Sequence, residues 1–255
     1  MLEPNKILQQ RYKLKQKLAQ NAGRQTWLAE DISIQPAETV IIKFLSFGEN
    51  FQWQDLKLFE READILKQIC HPRIPKYRDY FALEDKYNWF SLVEQYIPGD
   101  SLRQLVETKK RFTEEELRKI ASEVLEILCY LHTLNPQVIH RDIKPSNLII
   151  GEEKKVYLID FGAVQDSVAA QGTTFTVVGT YGYAPIEQFG GRTVPASDLY
   201  ALGATLIHLA TGRIPADLPQ TKMRIQFRDK VSLSDNFINW IEKLTEPDID
   251  DRFTT

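Results

Sequence analysis

The chain has 255 residues, of which 43% are hydrophobic and 26% charged, and a formal net charge of −3. That is enough apolar content for one large domain or two modest lobes, and it excludes wholesale disorder. A small negative charge gives no general attraction to nucleic acid or to an anionic membrane surface.

No apolar run approaches the roughly 18 residues that cross a bilayer, and the start Met-Leu-Glu-Pro-Asn-Lys lacks a signal peptide's apolar stretch. A cytoplasmic protein with no membrane segment and no nucleic-acid partner is expected. Cys70 and Cys129 fall in apolar helical patterns without a second pair at metal-ligand spacing, so both are expected to be buried thiols.

In chain order, β-like runs cover Tyr12 to Leu18, Thr26 to Glu30, Thr39 to Leu45, Tyr77 to Leu83 and Phe90 to Tyr96. A helix is predicted from Gln54 to Cys70, with Phe59, Ala63, Leu66 and Ile69 on one face. Pro98-Gly99-Asp100 marks a turn between lobes, after which the pattern becomes helical. Helices are predicted over Ser101 to Glu107, Thr113 to Leu134 with a Thr-Glu-Glu-Glu start, Ala196 to Thr211 and Ser234 to Leu244. Pro136 to Gly191 between them is rich in loops, where function concentrates.

The strongest chemical signal is Val138-Ile139-His140-Arg141-Asp142-Ile143-Lys144-Pro145-Ser146-Asn147, an acid, a cation and an amide in one short loop bounded by apolar runs. Phosphoryl transfer uses that set. Asp142 would hold and deprotonate an acceptor hydroxyl, Lys144 would neutralise charge on the moving phosphoryl, and Asn147 would offer oxygen to Mg²⁺. A solvated surface turn is the bland alternative, and so many unlike residues at set offsets weigh against it. The apolar run Val156 to Ile159 then delivers Asp160-Phe161-Gly162, placing a possible Mg²⁺ ligand at a strand end.

These motifs make the chain resemble the eukaryotic-type protein serine/threonine kinases, bacterial branch, over nearly its whole length. The resemblance implies an α+β, bilobal fold with ATP between the lobes. Residues 1–97 would form a small β-rich lobe with one main helix and residues 98–255 a larger helical lobe, without the family's last helix. It implies an ATP-dependent transferase that phosphorylates Ser/Thr hydroxyls of a protein substrate and also itself, using Mg²⁺ or Mn²⁺ held by Asn147 and Asp160.

Val40-Ile41-Ile42-Lys43 matches the family's third strand, which makes Lys43 the cation on the phosphates and Glu62 its partner. Leu18, Thr26, Ile41, Gln95, Ile97 and Ile149 fall at positions that border the nucleotide. Gly179-Thr180-Tyr181-Gly182-Tyr183 resembles the substrate-facing turn, with Thr180 near Asp142. Thr173, Thr174, Thr176 and Ser167 become candidate phosphorylation sites beside the cation Arg141. Glu187 would pair with Arg252, and Asp198 would hold the catalytic-loop backbone.

Two departures stand out. None of the family's three glycine-loop positions in Leu18 to Thr26 holds Gly, and Ala19 and Arg24 limit close approach of the backbone to phosphate. Glu94 occupies the usually apolar or neutral gatekeeper position and is expected to line the adenine pocket. They keep open a second reading, a pseudokinase or nucleotide-binding regulatory module. A third reading, a small-molecule kinase, fits the Gly179 to Glu187 match less well.

Overall fold

A computed structural model describes residues 2–21, 23–48, 51–84, 88–166 and 179–254. The chain divides into two compact units, Met1–Ile97 and Pro98–Thr255.

In the first unit, β1 (Ile7–Leu8), β2 (Tyr12–Asn21), β3 (Arg24–Asp31), β4 (Glu38–Ser46), β5 (Tyr77–Leu83) and β6 (Trp89–Gln95) form one sheet in the order β1-β2-β3-β4-β6-β5. All neighbours are antiparallel. Strand β4 shows the period-two logic clearly. Val40, Ile42 and Phe44 are buried together with Tyr12, Leu14, Trp27, Ala29 and Val93 in one apolar cluster. Ile41 and Lys43 therefore face the other way. Helix α1 (Trp53–Gln68) buries Leu56, Phe59, Glu62, Ala63, Ile65 and Leu66, an inward stripe at three-to-four-residue spacing that carries one acid.

Strand β2 runs three residues beyond its expected end, to Asn21. It pairs with β3 up to Asn21 opposite Arg24. Where glycines would loosen the segment, ordinary side chains keep it in the ladder, and the turn uses Gly23 at φ 75°.

The second unit begins with β7 (Gly99–Ser101) and α2 (Leu102–Glu107), followed by α3 (Glu114–Thr133). Both helices start with a capping box, Ser101 with Gln104 and Thr113 with Glu116, which satisfies otherwise orphaned amides. Short strands follow: β8 (Val138–Ile139), β9 (Leu148–Gly151), β10 (Val156–Leu158) and β11 (Gln165–Asp166). β9 lies between β7 and β10, and β8 pairs with β11. Then come α4 (Ile186–Phe189), α5 (Pro195–Thr211), the small ribbon β12 (Gln220–Thr221) and β13 (Arg224–Ile225), and α6 (Asp235–Leu244).

Helix α5 is buried on nearly every side from Ala196 to Leu209, as an apolar central helix must be. Its Gly203 permits close approach to the end of α6, since an added Cβ would lie 2.6 Å from the Thr245 side chain and 2.9 Å from that of Leu244.

Neither cysteine is buried. On α3 the inward stripe is Val124, Ile127, Leu128 and Leu131, and Cys129 points away from it. Cys70 lies beyond the end of α1, where helical periodicity no longer positions a side chain. No helix among the described residues is long and apolar enough to cross a membrane.

Candidate active site

In the first unit the sheet register creates the site. Lys43 pairs with Thr26 on β3 and with Leu92 on β6, and Ile41 pairs with Glu94. Directly paired residues share a sheet face, so Lys43 and Glu94 are diagonal neighbours on one surface. Lys43 Nζ lies 2.5 Å from Glu62 Oε1 and 3.3 Å from Glu94 Oε1. Both acids are buried, and Lys43 keeps a small exposed edge. A buried carboxylate requires such a cation.

The other nucleotide candidates of this unit occupy strand positions around that cluster. Leu18 is exposed on β2, while Thr26, Ile41 and Gln95 are half-buried and Ile97 is buried. Arg24, the residue standing where a phosphate-loop glycine was sought, makes an ion pair with Asp55 in the first turn of α1 at 3.1 Å.

In the second unit β8 enters the His140 to Asn147 loop and β9 leaves it. Hairpin β9–β10 sets Leu148 opposite Leu158, and Ile159 N donates to Asn147 O at 2.9 Å. The end of this loop and the approach to Asp160 are thus tied together. Asp160 itself has φ 67° and Arg141 has φ 69°, both in the left-handed region that non-glycine residues seldom occupy.

Three side chains of this loop, Asp142, Lys144 and Asn147, converge with Thr180 from outside it. Thr180 Oγ1 donates to Asp142 Oδ1 at 2.8 Å. Lys144 Nζ lies 2.7 Å from Asp142 Oδ2 and donates to Thr180 Oγ1 at 2.7 Å. Asn147 Nδ2 donates to Asp142 O at 2.9 Å and to Asp142 Oδ2 at 3.0 Å. A carboxylate so clamped is aimed, which is the requirement for accepting a hydroxyl proton at a defined place.

The loop backbone is held from beneath. Asp198 in the first turn of α5 is 0% exposed. It accepts the His140 amide on Oδ2 and the Arg141 amide on Oδ1, each at 2.8 Å. His132 Nε2 lies 2.9 Å from Asp198 Oδ2. Burial alone would push the Asp198 carboxyl up, but the His132 hydrogen bond and the Arg141 amide prevail and leave it lowered. Burial pushes the His140 imidazole down, against the nearby Asp198, Asp142 and Asp160 carboxylates. A neutral ring suits its Nδ1, which accepts the Asp142 amide at 3.3 Å.

Glu187 and Arg252 meet at 2.7 Å with the Arg252 side chain fully buried. Ile149 lies half-buried on β9. Ser167, Thr173, Thr174 and Thr176 lie outside the described residues.

Sequence reasoning missed several supports. His132 sits one residue past the inward Leu131 and four past Leu128, so a polar residue on an apolar stripe was the available signal. Gln188 donates its Nε2 to Arg141 O at 2.7 Å. Tyr183 O–H meets His208 Nδ1 at 2.6 Å. Neither of these last two has a local pattern that announces it.

A sequence profile described as protein kinase domain matches residues 23–255. The chain is 36% identical over 244 residues to serine/threonine-protein kinase B of Synechocystis sp., covering 89% of this chain and 42% of that protein. It is 34% identical over 264 aligned residues to serine/threonine-protein kinase PknA of Nostoc sp., covering 98% and 46% respectively. Against serine/threonine-protein kinase PrkC of Bacillus subtilis the identity is 31% over 212 residues, with 81% and 31% covered. The chain therefore spans less than half the length of these curated relatives.

Proposed function

Because the chain belongs to the protein kinase family, we propose that it transfers the γ-phosphoryl of ATP to serine or threonine hydroxyls of a protein. The observation that carries this reading is the clamp on Asp142 by Thr180, Lys144 and Asn147. In it Asp142 orients the acceptor hydroxyl and takes its proton, and Lys144 stabilises negative charge on the moving phosphoryl. Thr180 fixes the relation between the two and joins the loop to the segment that presents the acceptor. Lys43, steadied by Glu62, contacts the nucleotide phosphates.

A divalent cation such as Mg²⁺ fits the donors available. Asn147 directs its amide nitrogen to Asp142, its oxygen accepts from Ser146 Oγ at 3.2 Å with a lone pair to spare, and Asp160 adds a carboxylate. Hard oxygen donors of this kind suit Mg²⁺. When bound, the cation offsets phosphate charge.

Incubation with γ-labelled ATP, Mg²⁺ and a generic Ser/Thr protein tests the proposal. Label should pass to the substrate from the wild type and fall to background with Asp142→Asn. No labelling by the wild type above the Asp142→Asn background at millimolar ATP would leave a nucleotide-binding regulatory module as the better reading.

A further inference from the structure

Lys43 carries two carboxylates, and they are not equivalent. Glu62 reaches it from α1 at 2.5 Å, and Glu94 reaches it diagonally across the sheet from β6 at 3.3 Å. The side chains of Glu62 and Glu94 are 3% and 6% exposed, that of Lys43 15%. One ammonium thus faces two desolvated acids. The same-face neighbours Ile41 and Leu92 are apolar.

A phosphate that comes to the exposed edge of Lys43 meets an ammonium already paired with two carboxylates. Glu62 is the closer partner, so Glu94 is the one that a phosphate oxygen displaces more readily. Unit charges a few ångströms apart near a protein surface interact strongly enough to alter binding by an order of magnitude or more. The penalty is greatest for an anion that brings no cation with it.

Resting on the kinase reading above, we propose that Glu94 is a specificity-determining counter-ion at Lys43. It competes with nucleotide phosphate for the ammonium and biases the site against metal-free nucleotide, favouring the metal-charged form. Glu62, by contrast, anchors Lys43 and is retained when phosphate binds. The cost falls on nucleotide affinity, and it arises on the sheet surface independently of the hairpin that replaces the glycine loop.

Calorimetric titration with ADP, once in excess EDTA and once in excess Mg²⁺, tests this on the wild type, Glu94→Gln and Glu62→Gln. Glu94→Gln should bind metal-free ADP about tenfold tighter than wild type or better, and the gap between metal-free and Mg²⁺-loaded ADP should narrow. Glu62→Gln should bind no tighter than wild type. Glu94→Met removes the same charge at similar length and serves if the amide variant does not fold, as judged by circular dichroism.

Unchanged affinity for metal-free ADP in a folded Glu94 variant would overturn the inference, as would an equal gain in Glu62→Gln. Phosphotransfer by the wild type, assayed in parallel, separates the two readings. A protein that transfers phosphate but ignores the Glu94 substitutions sinks this inference alone, whereas absence of both nucleotide binding and transfer sinks the kinase reading with it.

Discussion

Glu187 Oε1 lies 2.7 Å from an Arg252 guanidinium that has no exposed surface. The same guanidinium donates to Ala196 O at 3.0 Å, Glu246 O at 2.9 Å and Pro247 O at 3.2 Å, and Ser197 Oγ donates to Glu187 Oε1 at 2.9 Å. Arg252 therefore pins the α4 and α5 starts to the segment after α6. Arg252→Ala strands a desolvated carboxylate and three carbonyls, and should cost about 3 to 5 kcal/mol in urea unfolding. A loss below about 1 kcal/mol, the size seen for exposed pairs, would contradict the geometry.

The clamp on Asp142 predicts a split between binding and turnover. Asp142→Asn should lower turnover by about 10² to 10⁴ while nucleotide affinity stays near that of wild type. Asp160→Asn should weaken nucleotide binding in Mg²⁺ as well. Single-turnover assays beside equilibrium titration distinguish the two, and matching profiles for both variants would be inconsistent with separate roles.

Thr180 bridges Lys144 and Asp142 through one hydroxyl. Thr180→Val removes that hydroxyl at nearly constant shape and should reduce turnover by about 10- to 100-fold. Thr180→Ser should restore most of it. If the serine variant is as slow as the valine one, the bridge is not what positions Asp142.

In the first unit the hydrogen-bonded Arg11 guanidinium, helped by Ser33, outweighs burial and holds the Asp31 carboxyl down at about 2. A folded-state value below the unfolded one means stability present above the unfolded pKa of about 4 and lost as pH falls toward the folded value. Asp31→Asn should therefore cost about 2 kcal/mol near neutral pH, and the difference from wild type should shrink steadily below about pH 4. Urea midpoints across that range give the answer; a pH-independent difference would assign the effect to packing.

The loop from His140 to Asn147 was legible because its chemistry is local: an acid, a cation and an amide at fixed offsets suit a reactive site far better than a solvated turn. Long helices were legible through periodicity, and α1, α3, α5 and α6 end within two residues of their expected limits. Strands of two to four residues, such as β8 and β11, are too short to show alternation. The cysteines depart from expectation because apolar neighbours do not specify which side of a helix a residue takes. The contact of Glu94 with Lys43 depends on the β4–β6 register, a long-range property that one sequence does not display. The supports His132 and Gln188 are tertiary in the same sense.

The two amides that Asp198 accepts, those of His140 and Arg141, belong to a loop yet end on a carboxylate with no access to water. Local fraying does not release them, because opening either bond leaves a buried charge partly unsolvated. Their exchange with deuterium should therefore follow global opening of the second unit, at rates typical of the interior of α5. Surface-loop amides would exchange orders of magnitude sooner. The His140 to Asn147 loop is then a rigid extension of the helical core, and fast protection loss at His140 and Arg141 would report loss of that core.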